Sequence, residues 1–329
     1  MEISVLGDAF IDVLAHDTPA MPQWGGDVRC SAVSFEAGGS ALNTAVHLKS
    51  LAPQHTVTLF TCMGDGDVGS NLLTAHLAHH KVNVNTTRRP EQTGTCIVLS
   101  GSADRGFVSA LGASGAWELE QVPVAAVARG RHLHLSGVFN LVALQPVLTE
   151  LVQRIRVANK AITVSMDTNY DPTGDWGRQG QWLERLIAQC DVVKVNEAEA
   201  RAISGESDAK RALAWLSHRA RMLGVVTLGE RGAMASLHGD PTRIVTVSAR
   251  KTSVLDPTGA GDAFNAGFIA AFLRDGDVES ALRYAVACGS ANVTRRGACK
   301  VPVAHDDIAH MVVDDALDDD ESMGTCVIA

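Results

Sequence analysis

Asp256-Pro257-Thr258-Gly259-Ala260-Gly261-Asp262-Ala263-Phe264, continued by Asn265-Ala266-Gly267 and an apolar run, is the most informative stretch of this chain. A Gly-Ala-Gly turn that opens a helix leaves backbone N–H groups unpaired and pointing one way, and the helix dipole adds partial positive charge there. Together they make a cradle for a phosphate oxygen. Asp262 falls in the first turn beside those donors. A carboxylate there takes the proton of an attacking hydroxyl, while Gly259, Ala260 and Gly261 stabilise charge on a transferred phosphoryl group. An isolated G-x-G-D is more often a tight turn ahead of an acidic helix N-terminus, so the surrounding chain has to decide.

Working outward, strands are expected at 2–7, 56–61, 131–136, 162–166, 191–195, 222–228 and 232–237. Helices are expected at about 40–51, 68–79, 143–158, 179–189, 197–203, 207–220, 260–273 and 277–294. Strands alternating with helices predict an α/β fold with a mostly parallel central sheet covered on both faces. A half-exposed strand at 28–35 and short strands near 83–88, 94–100 and 106–110 do not fit that alternation. They predict a small separate β-sheet, drawn from about 9–36 and 83–112, that serves as a lid over a cleft.

The string from Asp256 to Phe264 resembles the C-terminal signature of the PfkB (ribokinase-like) carbohydrate kinases, and the rest of the chain agrees in order. Gly38-Gly39-Ser40-Ala41-Leu42-Asn43-Thr44-Ala45 resembles that family's glycine-pair motif, and Gly7-Asp8-Ala9-Phe10-Ile11-Asp12 its opening strand and loop. Asp167-Thr168-Asn169 resembles its D-x-N, Asn196-Glu197-Ala198-Glu199 its N-x-x-E, and Thr227-Leu228-Gly229 with Gly232 its nucleotide-side strand and turn. The resemblance covers roughly 1–303 as one kinase domain and leaves 304–329 as an acidic segment whose end is expected to be disordered.

The resemblance implies an ATP-dependent kinase that phosphorylates a hydroxymethyl group of a small sugar, as ribokinases and fructokinases do. Asp262 would be the base and Gly259, Ala260 and Gly261 the anion hole. Asp12, Gly38, Gly39 and Asn43 would bind the sugar, and Asn196, Thr227, Gly229 and Gly232 the nucleotide. Glu199 would be associated with Mg²⁺. Asp256 and Thr258, with the loop at Arg296-Gly297-Ala298, match the place where many members hold a monovalent cation such as K⁺. Phe10 stands where ribokinases proper carry a polar residue, which removes a hydroxyl partner and argues against ribose itself. A nucleoside whose base stacks on Phe10 or Phe107 is the alternative substrate, and a ligand-binding relative without catalysis is a third reading. The intact base and cradle argue against that third reading.

Composition removes other classes. The 329 residues carry a formal net charge of −9 with no basic stripe, so nucleic acid is not an expected partner. No run approaches ~18 apolar residues, and the strand-length apolar start lacks a basic n-region, so neither a membrane span nor a signal peptide is expected. Seven scattered cysteines without C-x-x-C spacing read as reduced thiols of a cytoplasmic protein. The last four residues, Cys326-Val327-Ile328-Ala329, match the C-a-a-X prenylation pattern for a eukaryotic source, although the acidic residues upstream oppose an anionic membrane. Gly64-Asp65-Gly66-Asp67-Val68-Gly69 has the spacing of a dinucleotide fingerprint, yet its two aspartates would repel a pyrophosphate. His76 with His80, and His132 with His134, have pair spacing for a metal but no third ligand nearby. The exposed strand near 28–35 offers an uncovered edge to a second copy, predicting a homodimer through the lid.

Overall fold

The computed structural model describes residues 1–101, 105–176, 181–237 and 240–311. Its strands are β1 (Glu2–Gly7), β2 (Phe10–His16), β3 (Ala32–Gly38), β4 (Thr56–Gly64), β5 (Asn83–Arg89), β6 (Gly94–Ser100), β7 (Arg105–Ala110), β8 (His132–Ser136), β9 (Thr163–Asp167), β10 (Val192–Asn196), β11 (Leu223–Thr227), β12 (Ala233–Leu237) and β13 (Asp240–Val247). Its helices are α1 (Ser40–Leu51), α2 (Val68–His79), α3 (Gly112–Gly115), α4 (Val124–Val127), α5 (Leu148–Ala158), α6 (Trp182–Ile187), α7 (Glu197–Ser204), α8 (Ala209–Arg219), α9 (Ala260–Asp275) and α10 (Val278–Asn292).

Nine strands form one sheet in the order β13-β12-β11-β10-β9-β8-β1-β4-β5. It is parallel from β11 to β5, and β12 and β13 are added antiparallel. The inner parallel strands are largely apolar on both faces because helices cover both. β1 sends Ile3 and Val5 into the core shared with α1, α9 and α10, and Leu6 into the core shared with α5, α6 and α8. Chain order reverses around β1, which lies between β8 and β4, and ligands of open α/β sheets bind outside the carboxyl ends at such a switch point. Asp8, Ser136, Asp167, Asn196 and Thr227 all stand at those ends.

The second sheet has the order β3-β2-β6-β7. It corrects two expectations. The segment 83–88 is not part of it: β5 pairs in parallel with β4 at the edge of the large sheet, Thr58 opposite Asn83 through Gly64 opposite Arg89. An edge strand needs little apolar character, so the polar run Asn83 to Arg89 concealed an ordinary β–α–β crossover through α2. The strand expected at 28–35 runs instead over 32–38, ending on Gly38 of the glycine pair. β13 was not foreseen.

The decoy glycine loop is structural. Asp67 accepts from Ser70 N at 2.6 Å and caps α2, and it also accepts from Thr93 N at 2.6 Å and from Thr93 Oγ1 at 2.8 Å. It thereby ties the large sheet to the strand entering the lid. His132 and His134 are buried against Thr163 and Ser165 hydroxyls at 2.7 Å. Among the described residues no His, Cys, Asp or Glu group could cage a metal, and no helix is long and apolar enough to cross a membrane. Packing continues beyond 303, since Ile308 is fully buried and Arg295 pairs with Asp307 at 2.9 Å. Cys326 and the remainder of the acidic tail lie outside the described residues.

Candidate active site

Around the Gly38-Gly39 pair, backbone density matters most. A Cβ at Gly38 would lie 2.2 Å from Asp12 Oδ2, so a larger residue there would push that carboxylate out of its present place against the β3 backbone. Gly39 has a φ of 96°, a conformation other residues rarely adopt, and cannot cap the helix it opens. Asp8, at the end of β1, does so from outside: its Oδ1 accepts from Ala41 N at 3.0 Å and its Oδ2 from Asn140 Nδ2 at 2.8 Å. Burial pushes the Asp8 carboxyl up, against those two bonds. Asp12 is pushed up to about 7, by burial first and then by the charges of Asp8 and Glu36. Phe10 is buried with its ring against Gly94, so it cannot stack on a base, whereas Phe107 is 63% exposed on the lid face that carries Asp12.

Asp262 is buried, and its Oδ2 accepts from Asn43 Nδ2 at 2.9 Å. Burial, with Asp167 and Asp8 adding to it, holds its carboxyl well above the usual range, against the pull of Asn43 and Lys194. Gly259 sits at φ 77° ahead of α9, where a Cβ would come 2.6 Å from Ala298 O. No side chain caps α9, although Ala260 N donates to Pro257 O at 3.3 Å, so the N–H groups after Ala260 are the ones an anion would meet.

The sequence reading missed Lys194, although a lysine between Val193 and Val195 in a buried strand directly before N-x-x-E was a usable signal. Its ammonium lies 2.8 Å from Asp167 Oδ2, and a Cβ at Gly261 would be 3.1 Å from it. Burial alone would lower the Lys194 ammonium, but Asp167, Glu199 and Asp262 hold it above its ordinary value. Asn265 Nδ2 donates to the same Asp167 oxygen at 2.7 Å. Asn169, of D-x-N, accepts from Gly137 N at 2.6 Å and so joins the ends of β8 and β9. Asn196 and Glu199 bond each other reciprocally at 2.8 Å as the capping box of α7. Glu199 is buried, and desolvation followed by the Asp167 charge raises it to about 6.

Beside this cluster opens a cavity of about 810 Å³. Thr227, Gly229 and Gly232 line it as expected, Ala260 and Gly261 form its end, and Val286 and Gly289 of α10 its apolar wall. Arg250 and Lys251 also line it, which the sequence reading did not single out. Asp256 Oδ1 accepts from Thr258 N at 3.0 Å and Oγ1 at 2.7 Å, and Oδ2 accepts from Gly297 N at 3.0 Å. Asn292 Nδ2 donates to Thr258 O at 2.8 Å, while the buried Asn292 Oδ1 has no hydrogen-bond partner. Of the expected residues, Asn43 reaches Asp262 in the first turn of α9, and Thr227, Gly229 and Gly232 line the cavity together with Ala260 and Gly261, whereas Asn196 is not among the residues lining it.

Comparison with known proteins gives the same reading. The chain is 30% identical over 288 residues to an ATP-dependent ribose-1-phosphate kinase of Halopiger xanaduensis, covering 86% of this chain and 89% of that one. It is 28% identical over 320 residues to a fructokinase of Klebsiella pneumoniae, covering 93% and 98%. The structure of Arabidopsis thaliana ribokinase complexed with ribose and ATP superposes with a TM-score of 0.78 at 20% identity, covering 94% and 98% of the two chains. Fructokinase with bound ATP from Xylella fastidiosa gives 0.79 at 22%, covering 96% and 99%. The profile of the pfkB family carbohydrate kinases matches residues 2–304, so this chain belongs to that family of ATP-dependent sugar kinases.

Proposed function

We propose that this enzyme transfers the γ-phosphoryl group of ATP to a hydroxymethyl group of a small sugar, with Asp262 as the base. The observation that carries the reading is the Asn43–Asp262 hydrogen bond, which holds a buried, proton-seeking carboxylate in the first turn of α9, beside Ala260 and Gly261 that line the large cavity. Asp262 takes the hydroxyl proton, the sugar oxygen bonds to the γ-phosphorus, and the bond to the bridging oxygen breaks, leaving ADP. The α9 N-terminus and Lys194 face the oxygens on which charge develops. Asp12 and Asn43 hold sugar hydroxyls over Gly38 and Gly39. The carboxylates of Asp8, Asp12 and Glu36 suit a neutral polyol and oppose a sugar phosphate.

Mg²⁺ neutralises the nucleotide phosphates in such transfers, bound by one or two carboxylates plus phosphate oxygens. Glu199 and Asp167 fit that requirement, because their mutual repulsion is relieved by a cation. A monovalent cation suits Asp256, Thr258 and the unpartnered Asn292 Oδ1. The lid supports a dimer: Phe35, Val13, Ile97 and Val108 form one row across the sheet. Phe35 is 64% and Val108 58% exposed. Reduced cysteines and ATP use both suit the cytoplasm.

Asp262→Asn keeps the shape but cannot take a proton, so turnover should fall by ~10²- to 10⁴-fold with little change in ATP affinity. Single-turnover rates across pentoses, hexoses, sugar phosphates and nucleosides, with calorimetric ATP binding, check this; a near-normal Asp262→Asn rate would end the assignment. The sugar KM should decrease from pH 6 to 8 as Asp12 ionises through about 7 and gains acceptor capacity, and Asp12→Asn should make KM higher and flat with pH. K⁺ should raise the rate over tetramethylammonium at equal ionic strength; equal rates would exclude the cation site. Sedimentation should find a dimer that Phe35→Glu disperses, and a monomeric wild type would refute the lid interface.

A further inference from the structure

We infer that His47 is a positioning residue for phosphoryl transfer, fixing the backing of the phosphate cradle to the sugar-binding helix. His47 lies on α1 one turn after Asn43 and is fully buried. Both ring nitrogens are engaged by the loop that follows α10: Nε2 lies 2.8 Å from Ala298 O, and Val303 N donates to Nδ1 at 3.1 Å. A backbone N–H can only donate, so Nδ1 must present its lone pair, and the proton sits on Nε2 and is donated to Ala298 O. Burial lowers the imidazole to about 4, with the charges of Arg295 and His80 acting the same way against the Ala298 bond. The ring therefore stays neutral at working pH, in the one tautomer that satisfies both partners.

What the loop touches gives this arrangement its consequence. Ala298 is the backbone on which Gly259 rests, with its carbonyl oxygen 2.6 Å and its Cα 2.8 Å from where a Gly259 Cβ would be. The preceding Gly297 N donates to Asp256 Oδ2 at 3.0 Å. The loop thus braces both ends of the Asp256–Gly259 turn. From a single helix, Asn43 grips the Asp262 carboxylate and His47 grips the support of the cradle. Both are then set relative to Gly39, where the same helix begins. A displacement near 1 Å between nucleophile and phosphoryl group is enough to cost about 10²-fold in rate.

An ordinary core histidine would make the same two bonds without affecting chemistry, so the test must separate stability from positioning. His47→Leu removes both bonds, His47→Gln retains a donor near the Nε2 position, and His47→Asn retains an acceptor near Nδ1. Turnover, KM for sugar and for ATP, calorimetric ATP affinity and thermal midpoint would be measured for each. The expected result for His47→Leu is a kcat about 10- to 100-fold lower, with ATP affinity within about 3-fold of wild type. Glutamine should restore most of kcat and asparagine less, because the Ala298 bond is the one that reaches the cradle. Wild-type kcat in His47→Leu would overturn the proposal. So would an asparagine variant faster than the glutamine one, or rates that follow the thermal midpoint alone. If the leucine variant does not fold, the order of the two amide variants still decides. The inference rests on Asp262 being the base, and the two fail differently: a fast Asp262→Asn enzyme removes the chemistry, whereas a fast His47→Leu enzyme removes only the brace.

Discussion

Lys194 is a buried ammonium set among the carboxylates of Asp167, Glu199 and Asp262, and the site is organised around that imbalance of charge. Removing a carboxylate from water costs several kcal/mol even in real proteins, and an unpaired one is tolerated only by shifting its pKa. Here one cation serves three acids. Asp167 takes the direct contact and, although burial would raise it, is held below the usual carboxylate range by Lys194 and Asn265. Glu199 and Asp262 are left partly uncompensated, and both are raised. Burial comes first in raising both, and the charge of Asp167 adds to it, so that Asp262 holds a proton more readily than an exposed aspartate does.

Close backbone approach is the second constraint, and it explains why glycines cluster here. Gly38 must admit the Asp12 carboxylate and Gly259 must admit the Ala298 backbone. Neither is mainly a matter of flexibility. Each lets a neighbouring segment come nearer than a side chain permits: Gly38 lets β2 and β3 close on each other within the small sheet, and Gly259 lets the loop after α10 press on the turn that opens α9. Glu36 and Lys300, 3.4 Å apart, add a direct link from the lid to that same loop.

The elements whose signal is local were legible in the chain. Strand–helix alternation was sufficient for the large sheet. The glycine turn and the glycine pair point to residues that meet at α9 through Asn43 and Asp262, whereas N-x-x-E caps α7. What was hidden depends on partners distant in sequence. β5 reads as a polar segment because its apolar burial is supplied on one side only, by β4 and α2. Asp8 reads as a turn residue until α1, whose N-cap is a glycine, needs an acceptor from elsewhere. His47 reads as one more polar residue in a helix, since its partners lie 251 and 256 positions away. Asn196 and Glu199 were read as ligand groups, and their reciprocal capping bonds show that they also hold the start of α7 in place.

Water exclusion connects these features to function. Asp12 lies on the lid, and its rise to about 7 depends on burial between Asp8 and Glu36; opening the lid would return it toward the ordinary Asp range. Asp262 depends on the same enclosure for its basicity. A carboxylate that becomes a good base only when the cavity is closed activates a bound hydroxyl more readily than it activates bulk water, because solvent enough to offer water as acceptor also lowers the pKa of the base. With Asp262 as the proposed base, the burial that raises its carboxyl and a closure of the small sheet would act together, restricting that strength to the interval in which a sugar is bound.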